Sequence, residues 1–296
     1  MQYAISYPFP QMCVSTGLIW RIDWANADHN GAAKAILQGL AKHPVGQPGF
    51  YIHTSGTGIL TIGDVQKGTF GVSNTKIYDD WDNVAEVTSL PEAAAHRDVD
   101  ITVLAAPETV KTAIVCPPTI YGTGRGPSNQ RSIQVPELAR VTLQQGHGVI
   151  VGEGKAYWTE VHVHDLSQLY LRLVEQAAVG GGAATWGPQG YYFAQSDEFM
   201  WGEIAREIAT AAHKAGYLKS AECKSYEPND VDKLSKYPGS RLWGANSRCR
   251  AVRAKKVLGW APRSKSLKED IPEEVDIEAK SLGLLKGHAA VAAGEA

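Results

Sequence analysis

Long apolar runs, paired cysteines and a strong charge of either sign are all missing from this chain, and each absence removes a class of function. No uninterrupted apolar stretch reaches the roughly 18 residues that a membrane-crossing helix needs. The N-terminus has no basic start, and Pro8 and Pro10 interrupt its apolar residues, so it makes a poor secretory signal. The four cysteines, Cys13, Cys116, Cys223 and Cys249, stand far apart with no C-x-x-C pair, so neither a zinc site nor a disulfide framework is indicated. These absences predict a reducing, cytoplasmic setting with no membrane partner. A formal net charge of -2 supplies no basic field for nucleic acid or an anionic surface. A small molecule is the expected partner.

What is present is the composition of a globular protein. The 296 residues are 44% hydrophobic and 20% charged, enough for one large domain or a domain with a smaller companion. No internal repeat occurs. The most informative stretch is 50–58, FYIHTSGTG, an apolar run ending in a hydroxyl-rich turn. Phe50, Tyr51 and Ile52 suit a short buried strand, and Gly56 and Gly58 allow a tight exit that leaves Thr54 and Ser55 at its carboxyl end. In an open α/β sheet that edge is where ligands sit; the plainer alternative is a strand followed by a turn.

Around this strand the pattern alternates between helix and strand. Residues 30–40 (NGAAKAILQGL) have helical spacing and are closed by Lys42, His43 and Pro44. Residues 60–82 are rich in Gly, Asp, Asn and Thr and read as a surface loop, while 86–104 read as helix in parts, broken near Pro91. The β-branched run at 112–116 (TAIVC) has the character of a buried parallel strand, stopped by Pro117 and Pro118. A helix at 135–145 follows, with Pro136 in its first turn. Further strands are expected at 149–154, 158–163 and 190–194. Asp165 is expected to cap a helix, 180–190 to form a glycine-rich linker, and 200–212 to be helical.

The ordered series HTSGTG, AIVCPPTIYGTG, VIVGEG, VHVHD and RAKKVLGWAP resembles the extended short-chain dehydrogenase/reductases, also called the NAD-dependent epimerase/dehydratase family. The likeness runs from about residue 32 to about residue 275. It implies an α/β fold, a Rossmann-like parallel sheet with a small C-terminal α+β substrate domain. It also implies that Ser55, with Thr54 as the adjacent alternative, hydrogen-bonds the reacting substrate oxygen. Pro117, Pro118, Thr119 and Tyr121 fall on the segment that flanks the nicotinamide, and NAD or NADP is the implied cofactor. His162 and His164, two residues apart, could share a metal, but no third ligand accompanies them.

Two family features are absent. No tyrosine has a lysine four residues on; the region where that pair should fall reads PEAAAHRDVDITVLAA and offers His96, which could do proton chemistry, and Arg97, which could supply the charge, though both read rather as solvated helix-start residues. The other absence is the glycine fingerprint that cradles a pyrophosphate, because Gly17 is the only glycine before Gly31. The expected organisation is therefore an atypical N-terminal segment at 1–29, a partial, N-terminally truncated Rossmann-like core at 30–180, mainly substrate-domain elements at 181–284 and a flexible tail at 285–296. Truncation or mis-splicing is the favoured account, with a relic that has lost cofactor binding as the alternative. Either predicts an unpaired sheet edge, and with it poor stability or a cover for that edge, in a homo-oligomer or by an edge-supplying partner. The expected function is that of an oxidoreductase or epimerase/dehydratase acting on a small carbonyl or hydroxyl compound. The alternative is a non-catalytic binding or regulatory protein or subunit on the same fold.

Overall fold

The computed structural model describes residues 20–44, 46–237 and 239–284; the expected tail at 285–296, most of the N-terminal segment and Cys13 lie outside them. The elements that position the site begin with strand β1 (Trp20–Asp23), helix α1 (Asn30–Leu40) and strand β2 (Gly49–Thr54). Next come helix α2 (Ile62–Lys67), strand β3 (Tyr78–Asp79), and helices α3 (Val84–Thr88) and α4 (Arg97–Leu104). Strands β4 (Val110–Cys116) and β5 (Thr119–Tyr121) precede helix α5 (Gln134–Gln145). Strands β6 (Gly148–Val151) and β7 (Tyr157–His162) lead into helix α6 (Val163–Ala178), followed by strands β8 (Tyr191–Phe193) and β9 (Asp197–Met200). The remainder comprises helix α7 (Trp201–Lys214), strand β10 (Cys223–Tyr226), helix α8 (Pro228–Leu234), strand β11 (Cys249–Arg250), and helices α9 (Val252–Leu258) and α10 (Leu267–Ser281).

The main sheet is wholly parallel, in the order β1-β2-β4-β8. Parallel strands covered on both faces read as continuous apolar runs, which is why β2 and β4 are legible. Alternation along β2 sends His53 toward α4 and Thr54 toward α6, as their partners Asp100 and Tyr170 show. One core cluster joins Tyr51, Ile52, Ile114, Val115 and the β8 aromatics to Leu37 of α1, Val99 of α4, Leu169 of α6 and Leu258 of α9. A second gathers Leu138, Trp158, Trp201, Ile204, Trp243 and Ile271 between α5, α7 and α10. The second core thus draws on residues from both sides of position 181, and β8, beyond that position, completes the main sheet.

Three local outcomes differ from the sequence expectations. Residues 57–67 form a 3-10 turn and α2, with Ile59, Leu60 and Ile62 buried in the first core, because GILTIGDV carries apolar residues at helical spacing. Asp165 lies inside the first turn of α6, and its carboxylate accepts from the N–H groups of Arg263 and Ser264, both at 3.0 Å, so it joins α6 to the C-terminal segment. β1 arises from WRID, within the segment set apart as atypical, and pairs with β2 from Trp20↔Phe50 to Asp23↔His53.

The two cores are joined where backbones touch. The Gly71 N–H donates to the Gly244 carbonyl at 2.6 Å, and the Lys155 N–H donates to the Gly71 carbonyl at 2.8 Å. A Cβ at Gly71 would stand 2.7 Å from the Gly152 Cα, and its φ of 77° is in the left-handed region, so two reasons demand glycine there. Beside it, the Asp64 carboxylate accepts from the Asn246 backbone and side-chain amides at 2.7 and 2.8 Å.

Candidate active site

At the carboxyl end of β2 the structure divides the predicted hydroxyls. Thr54 is engaged, its Oγ1 lying 2.5 Å from the buried Tyr170 hydroxyl. Ser55 is 4% exposed, and its hydroxyl has no hydrogen-bond partner of good geometry; it is turned toward the Asp100 carboxylate and the Cys116 thiol. Thr57, 1% exposed, also keeps a buried, unpartnered hydroxyl. Unmatched buried hydroxyls are uncommon in native proteins and concentrate attention on this turn.

The segment expected to flank a nicotinamide is adjacent. The Pro117 carbonyl accepts from the Thr57 N–H at 3.0 Å, so the turn and the proline segment are brought together. Pro118 is buried beside it. Thr119 donates to Gln134 at 2.9 Å, and the Tyr121 hydroxyl donates to the Lys265 carbonyl at 2.8 Å. Burial raises the Tyr121 phenol well above its ordinary range. The polar side chains of Thr119 and Tyr121 are thus already used within the protein.

His96 and Arg97 leave the roles the sequence suggests. Arg97 is buried rather than solvated, donating from Nε to the Leu90 carbonyl at 2.9 Å and from Nη2 to the Thr88 carbonyl, so it staples the segment before α4. His96 is the N-cap of α4 and, among the described residues, the one non-glycine residue with positive φ, 62°. Its Nδ1 lies 2.6 Å from Asp28 Oδ1. Its ring lies over the glycine turn: Nε2 would be 3.1 Å from a Cβ at Gly56 and 3.6 Å from one at Gly58. The hydrogen bond to His96 holds the Asp28 carboxyl below its ordinary range. The spacing of histidine to the glycine turn was visible in the sequence, but Asp28, in the connection between β1 and α1, carried no signal that linked it to either.

Beneath this open pair lies a sealed one. His53, fully buried, has Nδ1 3.3 Å from the Tyr51 hydroxyl and 3.8 Å from Asp23 Oδ2, while Nε2 is 4.0 Å from Asp100 Oδ1. Tyr51 donates to Asp23 at 3.1 Å, and Tyr191 to Asp100 at 3.2 Å. Burial pushes the Asp100 carboxyl up, whereas the His53 and Ala25 hydrogen bonds outweigh desolvation at Asp23 and bring it down.

The two histidines considered for a metal are not on one strand face. His162 ends β7 and accepts the His164 N–H at 3.1 Å, whereas His164 lies in α6 with its ring between the Arg125 side chain and the Thr123 carbonyl. Among the described residues no group of three or more His, Cys, Asp or Glu is placed to hold a metal. A dinucleotide fits only in part. Trp24 to His29 connect β1 to α1 without a glycine, and the glycine turn that follows β2 leads into the 3-10 turn and α2 with the His96 ring packed against Gly56. Among the described residues no helix is long and apolar enough to cross a membrane.

No family model matches the chain. Oxidase ucsJ from an Acremonium species is 33% identical over 273 residues, covering 88% of this chain and 78% of the oxidase. Among solved structures, UDP-glucose 4-epimerase with UDP-glucose from Thermotoga maritima matches with a TM-score of 0.53 at 17% identity, covering 86% of this chain and 71% of that one. The dTDP-glucose 4,6-dehydratase from Bacillus anthracis in complex with NAD gives 0.55 at 13% identity, covering 88% and 72%. The corresponding Streptomyces venezuelae dehydratase, with NAD and TYD bound, gives 0.54 at 14%, covering 85% and 65%. These structures share the Rossmann-like fold of the parallel sheet.

Proposed function

The chain belongs to the extended short-chain dehydrogenase/reductase family as an atypical member, and we propose that it is an oxidoreductase or epimerase/dehydratase-like enzyme acting on a small carbonyl or hydroxyl compound. The observation that carries this reading is the polar turn at the carboxyl end of β2, which holds the buried Ser55 and Thr57 hydroxyls and is tied to the proline segment by the Thr57 N–H donating to the Pro117 carbonyl. Ser55 is the proposed holder of the reacting oxygen, since Tyr170 occupies Thr54. Pro117, Pro118, Thr119 and Tyr121 form the proposed facing wall. NAD or NADP is the cofactor the family implies, and a cytoplasmic location fits that chemistry.

Titration of the purified chain with NADH and NADPH, followed by fluorescence, tests the reading. Binding at micromolar levels supports a dinucleotide enzyme. In that case Ser55→Ala slows turnover by roughly tenfold to a hundredfold, the scale for one hydrogen bond to a reacting oxygen. Absence of binding favours a second reading, a non-catalytic binding or regulatory subunit, which the enclosure of both hydroxyls also supports.

A further inference from the structure

The strained histidine at the start of α4 carries more than a capping role. An N-cap residue ordinarily adopts extended backbone angles and accepts a backbone N–H through its side chain. His96 does neither: its φ is 62°, and its side chain makes no cap hydrogen bond. Left-handed backbone costs a non-glycine residue on the order of 1–2 kcal/mol, and such outliers persist where the surroundings impose them. Here the surroundings are specific. Asp28, from a connection 68 residues earlier, holds Nδ1 at 2.6 Å, and two glycines leave the ring its place at the end of β2. The His96 side chain is 23% exposed and that of Asp28 62%, so the pair opens to solvent, unlike the sealed His53 group. With Nδ1 directed at a carboxylate, Nε2 is the nitrogen left to exchange a proton.

We propose that His96, oriented by Asp28, is the general acid–base residue of this site, moving a proton at the carbon next to a substrate carbonyl. The step is redox-neutral. The Nε2 lone pair takes the α-proton, the C–H electron pair becomes the carbon–carbon double bond of an enolate, and the carbonyl π pair moves onto oxygen. Return of the proton from Nε2 restores the ketone, on either face of the carbon. Asp28 accepts from Nδ1–H and stabilises the imidazolium that forms between the two transfers. Nothing in this sequence requires a dinucleotide. The proposal rests on the carbonyl-compound reading given above and adds the proton-transfer group that reading lacks.

The test is loss of α-proton signals from hydroxyacetone in D2O, followed by proton NMR with the full chain. The expected result is exchange above the buffer rate, reduced about a hundredfold or more in His96→Gly, the lower end of what acid–base groups contribute. Glycine accepts the left-handed backbone, so this variant relieves strain and leaves a ring-sized gap. Added imidazole then restores exchange, a response that a structural histidine would not give. Asp28→Asn lowers exchange by about tenfold while leaving the imidazole in place. Exchange at the buffer rate in the wild type, an unchanged rate in His96→Gly, or a loss that imidazole does not reverse in a variant with native circular dichroism overturns the proposal. The dinucleotide titration reads the parent hypothesis separately: NADH binding without exchange defeats only the histidine, and exchange without NADH binding defeats only the nicotinamide enzyme.

Discussion

Two histidine–aspartate groups serve the same strand end, and they differ in nearly everything but composition. His53 is enclosed between Asp23, Tyr51 and Asp100, on residues of the sheet and of α4, whereas the His96 side chain stands at the rim with Asp28 as its one hydrogen-bond partner among the described residues. Enclosure makes an ionisable group a structural element, because each partner left behind after its removal would be buried without compensation. Exposure with one fixed carboxylate makes it available for chemistry. The difference teaches that a buried polar network and a reactive pair can be built from identical parts, separated by one layer of chain.

The comparison is broken or sharpened most strongly by removing the sealed ring. His53→Ala is expected to lower unfolding free energy by about 3 kcal/mol, since it opens a ring-sized cavity in the core and removes the side chain that stands between the Asp23 and Asp100 carboxylates. Urea denaturation checks this, and a loss below about 1 kcal/mol would place His53 among the replaceable residues. His96→Asn should do the reverse. Asparagine tolerates left-handed backbone, so its stability change stays within about 1 kcal/mol while α-proton exchange collapses.

Gly56→Ala sharpens the contrast with a smaller change. The backbone there, φ −165°, suits any residue, but the new methyl would meet His96 Nε2 at 3.1 Å. Displacement of the ring should slow exchange by roughly tenfold without unfolding the protein, as misplacement of a reacting group does. Native circular dichroism with an unchanged rate would show that the ring's position is immaterial.

The smallest effect is a pH signature within the sealed group. Asp23 has a folded pKa below its usual 3.8, so its stabilising contribution is complete above that value and is lost as pH falls through the lowered one. Asp100 is raised above 3.8; the unfolded chain then releases its proton first, and stability declines as pH climbs from 3.8 toward the folded value. Asp23→Asn should therefore flatten the acid limb and Asp100→Asn the limb above it, in denaturation curves taken across pH. The same slopes in both variants would show that the two carboxyls are not held in opposite states.

The sheet strands were legible where burial on both faces wrote continuous apolar runs, as in FYI and TAIVC. β1 was not, because WRID is four residues with one buried position, and it acquires its identity only from pairing with β2. The turn holding Ser55 was likewise visible in order and composition. What stayed hidden were relations across sequence: the capture of Thr54 by Tyr170, the use of Arg97 as an internal staple, and the meeting of Asp28 with His96. A histidine beside an arginine reads as a solvated helix start, and only the chain's return over Gly56 distinguishes this one.

The glycine crossing between the cores bears on the order in which the molecule can assemble. Gly71, Gly152 and Gly244 come together only after chain segments more than eighty residues apart have met. Contacts of that separation raise the entropic barrier to folding and slow it. The turn that follows β2 carries a tie of the same kind, the Ser247 hydroxyl donating to the Thr57 carbonyl at 2.7 Å, so the strand end on which both histidines sit also depends on long-range chain closure.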